Sequence, residues 1–204
     1  MTLLITCFEP FGGANINPTQ KIVELLPDSY KDDMEIHKVS LPVSKDRSVK
    51  MLKGAIELYE PSAVLSLGLA GGRKTITVEK RGANLDDFRI PDNDGVAVSD
   101  QKIVPDGPDE LLSTLPVDQI VSDMNRSGVP CALSESAGRY ICNHVLYSAL
   151  YLAKTEQPSF KAGFIHVPFL PEQVKNPKTP SMELGAMVKG IESAKKTIYE
   201  DINK

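Results

Sequence analysis

The feature that most limits what this chain can become is a repeated exchange of apolar, strand-length runs for segments of helical period. LLITCF (Leu3 to Phe8) is almost continuously apolar, as a strand covered on both faces must be. It ends in the Pro/Gly turn EPFGG. NPTQKIVELL then puts Asn17 at an N-cap and Pro18 at the first helical position, which predicts a helix. EIHKVSLPV alternates and reads as a second strand. SKDRSVKMLKGAIELYEP spaces Val49, Leu52, Ile56 and Tyr59 along one helical face. AVLSLGLAGG is a third buried strand, and TITVEKRGANL a further one, with Ile76 and Val78 on one face and Thr75, Thr77 and Glu79 on the other. Strands over PCALSESAG and KAGFIHVPFLP complete the pattern. So do helices over VDQIVSDMNRSG (stopped by Gly128), ICNHVLYSALYLAK and SMELGAMVKGIESAKKTIYEDI. The prediction is an α/β fold: a single three-layer αβα catalytic domain over residues 1–204, with a mainly parallel twisted sheet.

Composition narrows the class. At 204 residues, 41% hydrophobic and 25% charged, the chain can bury a substantial core and is not disordered. A net charge of −4, with no Lys/Arg-rich run, argues against a nucleic-acid partner. No apolar run is long enough to cross a bilayer. MTLLITCFEPFGG carries no basic leader and reads as strand and turn rather than signal peptide. Three cysteines, Cys7, Cys131 and Cys142, form no close pair. That count points to a reducing cytoplasm rather than a disulfide scaffold.

Chemistry concentrates in a few places. Residues 82 to 110 are rich in Asp, Asn, Pro and Gly, and an irregular stretch of that length is usually functional. In SAGRYICNH, Cys142 follows a glycine turn at the head of a helix. The free N–H groups and partial positive charge there stabilise a thiolate and the oxyanion formed when it attacks a carbonyl. Cys7, inside the first strand, and Cys131, at a strand start, read as structural. His144 is not the expected partner, because residues i and i+2 on a helix point about 200° apart. It reads as hydrogen-bonding support beneath the site. His166 closes an apolar strand and sits where α/β sites gather, at strand carboxyl ends. An orienting carboxylate is needed. Glu79 is one candidate, and Asp86, Asp92 and Asp94 are not separated from it by sequence. GLAGGR lacks both phosphate-loop patterns, and no CxxC or HxxxH cluster implies a metal.

Five blocks, FEPFGGANINP, GLAGGR, ITVEKRGANLDDFRIPDNDG, SAGRYICNH and GFIHVPFLPEQ, in this order resemble the signatures of the pyrrolidone-carboxylate peptidase (pyroglutamyl peptidase type I) family. The resemblance runs from the first strand to about Gln173. It implies a cytoplasmic cysteine exopeptidase that removes N-terminal pyroglutamyl residues through a thioester intermediate, without a cofactor, and assembles as a homotetramer. It implies Cys142 as nucleophile, His166 as base and Glu79 as the third member. Arg89 would support the oxyanion. Phe8 and Phe11 would hold the lactam ring, with Asn17 nearby. Leu69 stands where many members carry Gln, which removes any side-chain hydrogen bond from that substrate-site position. The rival readings are another α/β enzyme in which Cys142 is incidental and a silent binding module.

Overall fold

The computed structural model describes residues 1–31, 33–156 and 160–204. In chain order the elements are β1 (Thr2–Phe8), α1 (Pro18–Leu25), β2 (Ser29–Tyr30), β3 (Met34–Leu41), α2 (Lys45–Tyr59), β4 (Ala63–Leu69), β5 (Ile76–Glu79), β6 (Arg81–Ala83) and β7 (Glu110–Leu112). They continue with α3 (Val117–Arg126), β8 (Cys131–Ser134), α4 (Ile141–Thr155), β9 (Lys161–Val167), a 3-10 turn (Pro171–Gln173) and α5 (Leu184–Ile202). Seven strands form one sheet in the order β2-β3-β1-β4-β9-β5-β8, and β6 and β7 pair separately.

Local chemistry explains the helix ends. Asn17 caps α1 by accepting from the Thr19 N–H, and Pro18 opens the helix. Ser44 caps α2 through the Arg47 N–H. Gly128, at φ 84°, turns the chain out of α3 where a side chain would be strained. Helix α4 differs, because Tyr140 at its N-cap offers no side-chain acceptor. Its first N–H groups are left for something else to use.

Alternation along the strands divides the core. Leu3, Ile5, Leu65, Leu67, Ile165 and Val167 pack toward α1, α3 and α5. Leu4, Phe8, Val64, Ala162 and Phe164 pack toward α2 and α4. The second face also holds the buried Thr6–Ser66 hydroxyl pair at 2.8 Å, and it carries the site.

Strands β1, β3, β4 and β9 run parallel, as expected for a mainly parallel sheet. Strands β5 and β8 are parallel to each other, but β5 is antiparallel to β9. Strand β8, which precedes Cys142, therefore runs against β9, which carries His166, and the chain returns through residues 135–140 to begin α4. The irregular stretch also holds more order than its composition suggests. It contains β6, β7 and a bridge between Asp86 and Gln101.

Leu65 is fully buried in central strand β4. Leu65→Ala is expected to lower unfolding free energy by about 2–5 kcal/mol, read by urea denaturation. A loss well under that range would contradict the assigned core.

Candidate active site

Register brings the site together. Within β9, Phe164 and His166 point to one face, and Gly68 of β4 is the direct partner of His166. On the other side Thr77 faces His166 and Glu79 faces Phe164. Glu79 therefore reaches His166 diagonally across the antiparallel pair, and its Oε1 lies 2.7 Å from Nδ1. Both groups are buried, Glu79 completely. The geometry assigns the Nδ1 proton to this bond and leaves Nε2 free.

Gly68 places the sulfur. A Cβ at Gly68 would meet the Phe164 ring at 2.7 Å and Cys142 Sγ at 3.0 Å. The thiol thus lies over the strand position beside His166, in space that any side chain at residue 68 would fill. The Cys142 residue is only half-buried, and the sulfur is its enclosed end. Burial, with Glu79's charge adding, pushes the thiol up to about 12, against the lowering influence of Arg73 and of its own N–H. Burial likewise lowers His166, outweighing the Glu79 bond and charge that raise it. Burial would raise Glu79, but His166, Ser134 and Arg73 together hold it below the usual carboxylate range. Burial thus favours a neutral thiol and a neutral imidazole beside a carboxylate. Burial of the sulfur opposes the stabilisation that the helix N-terminus offers a thiolate. Cys7 and Cys131 are buried and pushed up to about 11 by that burial.

The four carboxylates that sequence could not rank have separate tasks. Glu79 holds His166. Asp86 binds His144 Nδ1 at 2.8 Å. Asp92 accepts from the N–H groups of Lys45, Asp94 and Val96. Asp94 pairs with Arg47.

Sequence reasoning assigned no role to Arg73, although it closes GLAGGR. Its Nη1 lies 2.6 Å from Glu79 Oε1 and also bonds Thr77, while Nη2 donates to the Ser136 carbonyl at 3.1 Å. A cation six residues before Glu79 was the available signal. Tyr140 was missed too. Its ring lies 6.1 Å from Phe11 and 5.0 Å from Phe88, and its hydroxyl donates to the Pro91 carbonyl.

The remaining expected residues differ in placement. Phe8 is buried beside Phe164, with ring centroids 6.3 Å apart, and Phe11 is partly exposed at the mouth. Arg89 is exposed and forms no side-chain hydrogen bond or ion pair among the described residues. Asn17 is almost wholly buried, with Oδ1 bound to Thr19 and Nδ2 to the Glu9 carbonyl. It shapes the FEPFGG turn, with both amide atoms already in hydrogen bonds. Leu69 pairs with Val167 on the face opposite Gly68, so only its backbone borders the site. Among the described residues, no group of three His, Cys, Asp or Glu side chains is arranged to hold a metal ion, and no helix is long and apolar enough to cross a membrane.

A carboxylate bonded to an imidazole, with a thiol over the neighbouring strand position at an uncapped helix N-terminus, is the set of groups that a cysteine-type hydrolase requires. The pyroglutamyl peptidase family model matches residues 1–201. Pyrrolidone-carboxylate peptidase of Finegoldia magna is 45% identical over 202 residues, covering 98% of this chain and 94% of that one. The Lactobacillus acidophilus enzyme of that name is 44% identical, covering 98% of this chain and 100% of its own. The solved pyrrolidone carboxyl peptidase of Thermococcus litoralis superposes with a TM-score of 0.95 at 41% identity, covering 99% of this chain and 94% of that chain. Pyroglutamyl peptidase I of Bacillus amyloliquefaciens superposes at 0.93 with 34% identity, covering 97% and 94%. The chain belongs to the pyroglutamyl peptidase family.

The protonation states have a direct readout. Iodoacetamide labelling of Cys142 is expected to accelerate steadily with pH, because the thiol is pushed up to about 12. A rate flat between about pH 5 and 7 would show a preformed thiolate–imidazolium pair instead.

Proposed function

We propose that this chain removes N-terminal pyroglutamyl residues from peptides, with Cys142 as nucleophile, His166 as base and Glu79 as the orienting carboxylate. The observation that carries the reading is the alignment of the Cys142 sulfur, the His166 ring and the Glu79 carboxylate on one sheet face. Family membership supports the substrate class.

The reaction divides into two halves. His166 Nε2 takes the Cys142 proton as Sγ attacks the pyroglutamyl carbonyl carbon. The imidazolium that forms is stabilised by Glu79, held ionised in advance. Charge on the carbonyl oxygen is met by the Cys142 N–H at the uncapped start of α4 and by the unpaired guanidinium of Arg89. The C–N bond then breaks, His166 returns its proton to the leaving amine, and a thioester remains. Water, deprotonated by His166, attacks that thioester, releases pyroglutamate and restores the thiol.

Substrate selection follows from the lining. The pyroglutamyl ring is flat and has no free α-amine. Phe8 and Phe11 hold its faces, Asn17 keeps their turn in place, and Leu69 contributes backbone. A charged N-terminus would lose its hydration in such a slot, and that costs several kcal/mol. The whole chain, 1–204, acts as one catalytic unit in this reading. Three free cysteines suit a reducing cytoplasm. The homotetramer rests on the family resemblance, and light scattering reads it.

Hydrolysis of a pyroglutamyl-coumarin amide tests the proposal. Wild type is expected to release coumarin, Cys142→Ala none, and His166→Ala at a kcat/KM lower by about a thousandfold or more. No turnover by wild type, or full turnover by Cys142→Ala, contradicts it. A second expectation concerns pH. Arg73 lowers His166, and only neutral His166 serves as base. Arg73→Gln should therefore raise that group and move the acid limb of kcat/KM to higher pH. A limb that stays or moves lower would remove Arg73 from the site's electrostatics.

A further inference from the structure

Helix α4 carries a second buried carboxylate–imidazole pair that the reaction does not use. His144 Nδ1 lies 2.8 Å from Asp86 Oδ2, and both residues are buried, Asp86 completely. Asp86 Oδ1 is buried with no hydrogen-bond partner among the described residues. A buried carboxylate with an orphaned oxygen is costly, and an apolar pair would join loop to helix at less expense. What a directional bond adds over apolar packing is a fixed orientation.

The pair belongs to a longer attachment. The Ala83 N–H donates to Asn143 Oδ1 at 2.8 Å, and Asn143 Nδ2 donates to the carbonyls of Ala83 at 2.9 Å and Leu85 at 3.0 Å. The Asp87 N–H donates to the Arg139 carbonyl at 2.9 Å. Tyr140 donates to the Pro91 carbonyl at 3.1 Å and meets Phe88 edge-on. Residues 83–91 thus form a strap along residues 139–144, the stretch that contains the nucleophile. Asp86 is itself held by two backbone bonds to Gln101, so the strap has a fixed point behind it. Arg89, the oxyanion support in the reading above, lies in the middle of the strap.

Helical geometry makes the arrangement purposeful. Cys142 and His144 point about 200° apart around the helix. Cys142 faces the sheet and His166, while His144 faces the strap. The first turn of α4 is held from both sides, which fixes its rotation about its own axis and with it the sulfur. We propose that Asp86 and His144 are a positioning pair for this peptidase: they lock the strap to α4 and so set the sulfur and Arg89 against the substrate carbonyl. The inference rests on the peptidase reading and assigns neither residue a contact with substrate. Misplacement of reacting groups by about an ångström costs on the order of a hundredfold in rate, so the effect belongs in kcat.

The test compares wild type, His144→Ala and His144→Asn on the coumarin substrate, with melting curves and amide hydrogen exchange. An Asn side chain carries an N–H donor where histidine carries Nδ1. His144→Ala is expected to lower kcat about 10- to 100-fold while KM stays within about threefold of wild type. His144→Asn should recover most of that loss. Exchange at the Asp87 and Phe88 amides should rise in His144→Ala and return toward wild type in His144→Asn, with β1 and β4 unchanged in all three. Wild-type kinetics in His144→Ala, equal losses in the two variants, or exchange raised equally in β4 would overturn the proposal. Absence of turnover in wild type would overturn the peptidase reading alone, and the exchange comparison would still decide whether the pair locks the strap.

Discussion

The rest of the site depends on one buried hydrogen bond, 2.7 Å long, between Glu79 and His166. A carboxylate at zero exposure is tolerated only with strong partners, and here His166 and Arg73 share the same oxygen. The bond fixes the ring's orientation and its tautomer, so that Nδ1 donates to Glu79 and Nε2 is the basic nitrogen. It also sets the charge balance, because an ionised Glu79 opposes a thiolate and waits for an imidazolium. Burial first and Glu79's charge second oppose a thiolate in the free site, and the same charge favours the imidazolium.

Strand direction makes that bond available. Antiparallel pairing of β5 with β9 lets Glu79 cross to His166 from the neighbouring strand, while parallel pairing of β4 with β9 sets Gly68 beside the ring. Gly68 keeps open the space that the sulfur fills. Helix α4 then covers this face with an uncapped first turn, and the 83–91 strap covers the helix start. A reversed edge, a missing side chain and a missing cap each look like a defect taken singly. Together they leave room for a thiol, an oxyanion and an acyl group.

Much of this was legible in the residues. The exchange of apolar runs and helical periods marked the layers, because a strand covered on both faces has no polar alternation to confuse with a helix. Spacing alone separated Cys142 from His144, since helical geometry sends them to opposite sides. Position at the carboxyl end of an apolar strand pointed to His166. Other features lay beyond local pattern. The reversal of β5 and β8 is decided by long-range pairing, which leaves no mark in either strand. Glu79 could not be told from Asp86 because their partners are distant in sequence: 87 residues for Glu79–His166 and 58 for Asp86–His144. Asn17 carried a readable N-cap signal, and its Oδ1 caps α1 as expected. Burial of the sulfur, which opposes the thiolate expected at the helix N-terminus, is likewise a tertiary fact.

The central claim is that His166 rests as a neutral ring donating from Nδ1 to an ionised Glu79. Nitrogen NMR of the labelled imidazoles tests it most directly, and with three histidines in the chain the signals can be assigned by single substitutions. The expected result near neutral pH is a His166 ring protonated at Nδ1 alone, with that proton's signal lost or displaced in Glu79→Ala. A His166 ring protonated at both nitrogens, or at Nε2 alone, would contradict the account.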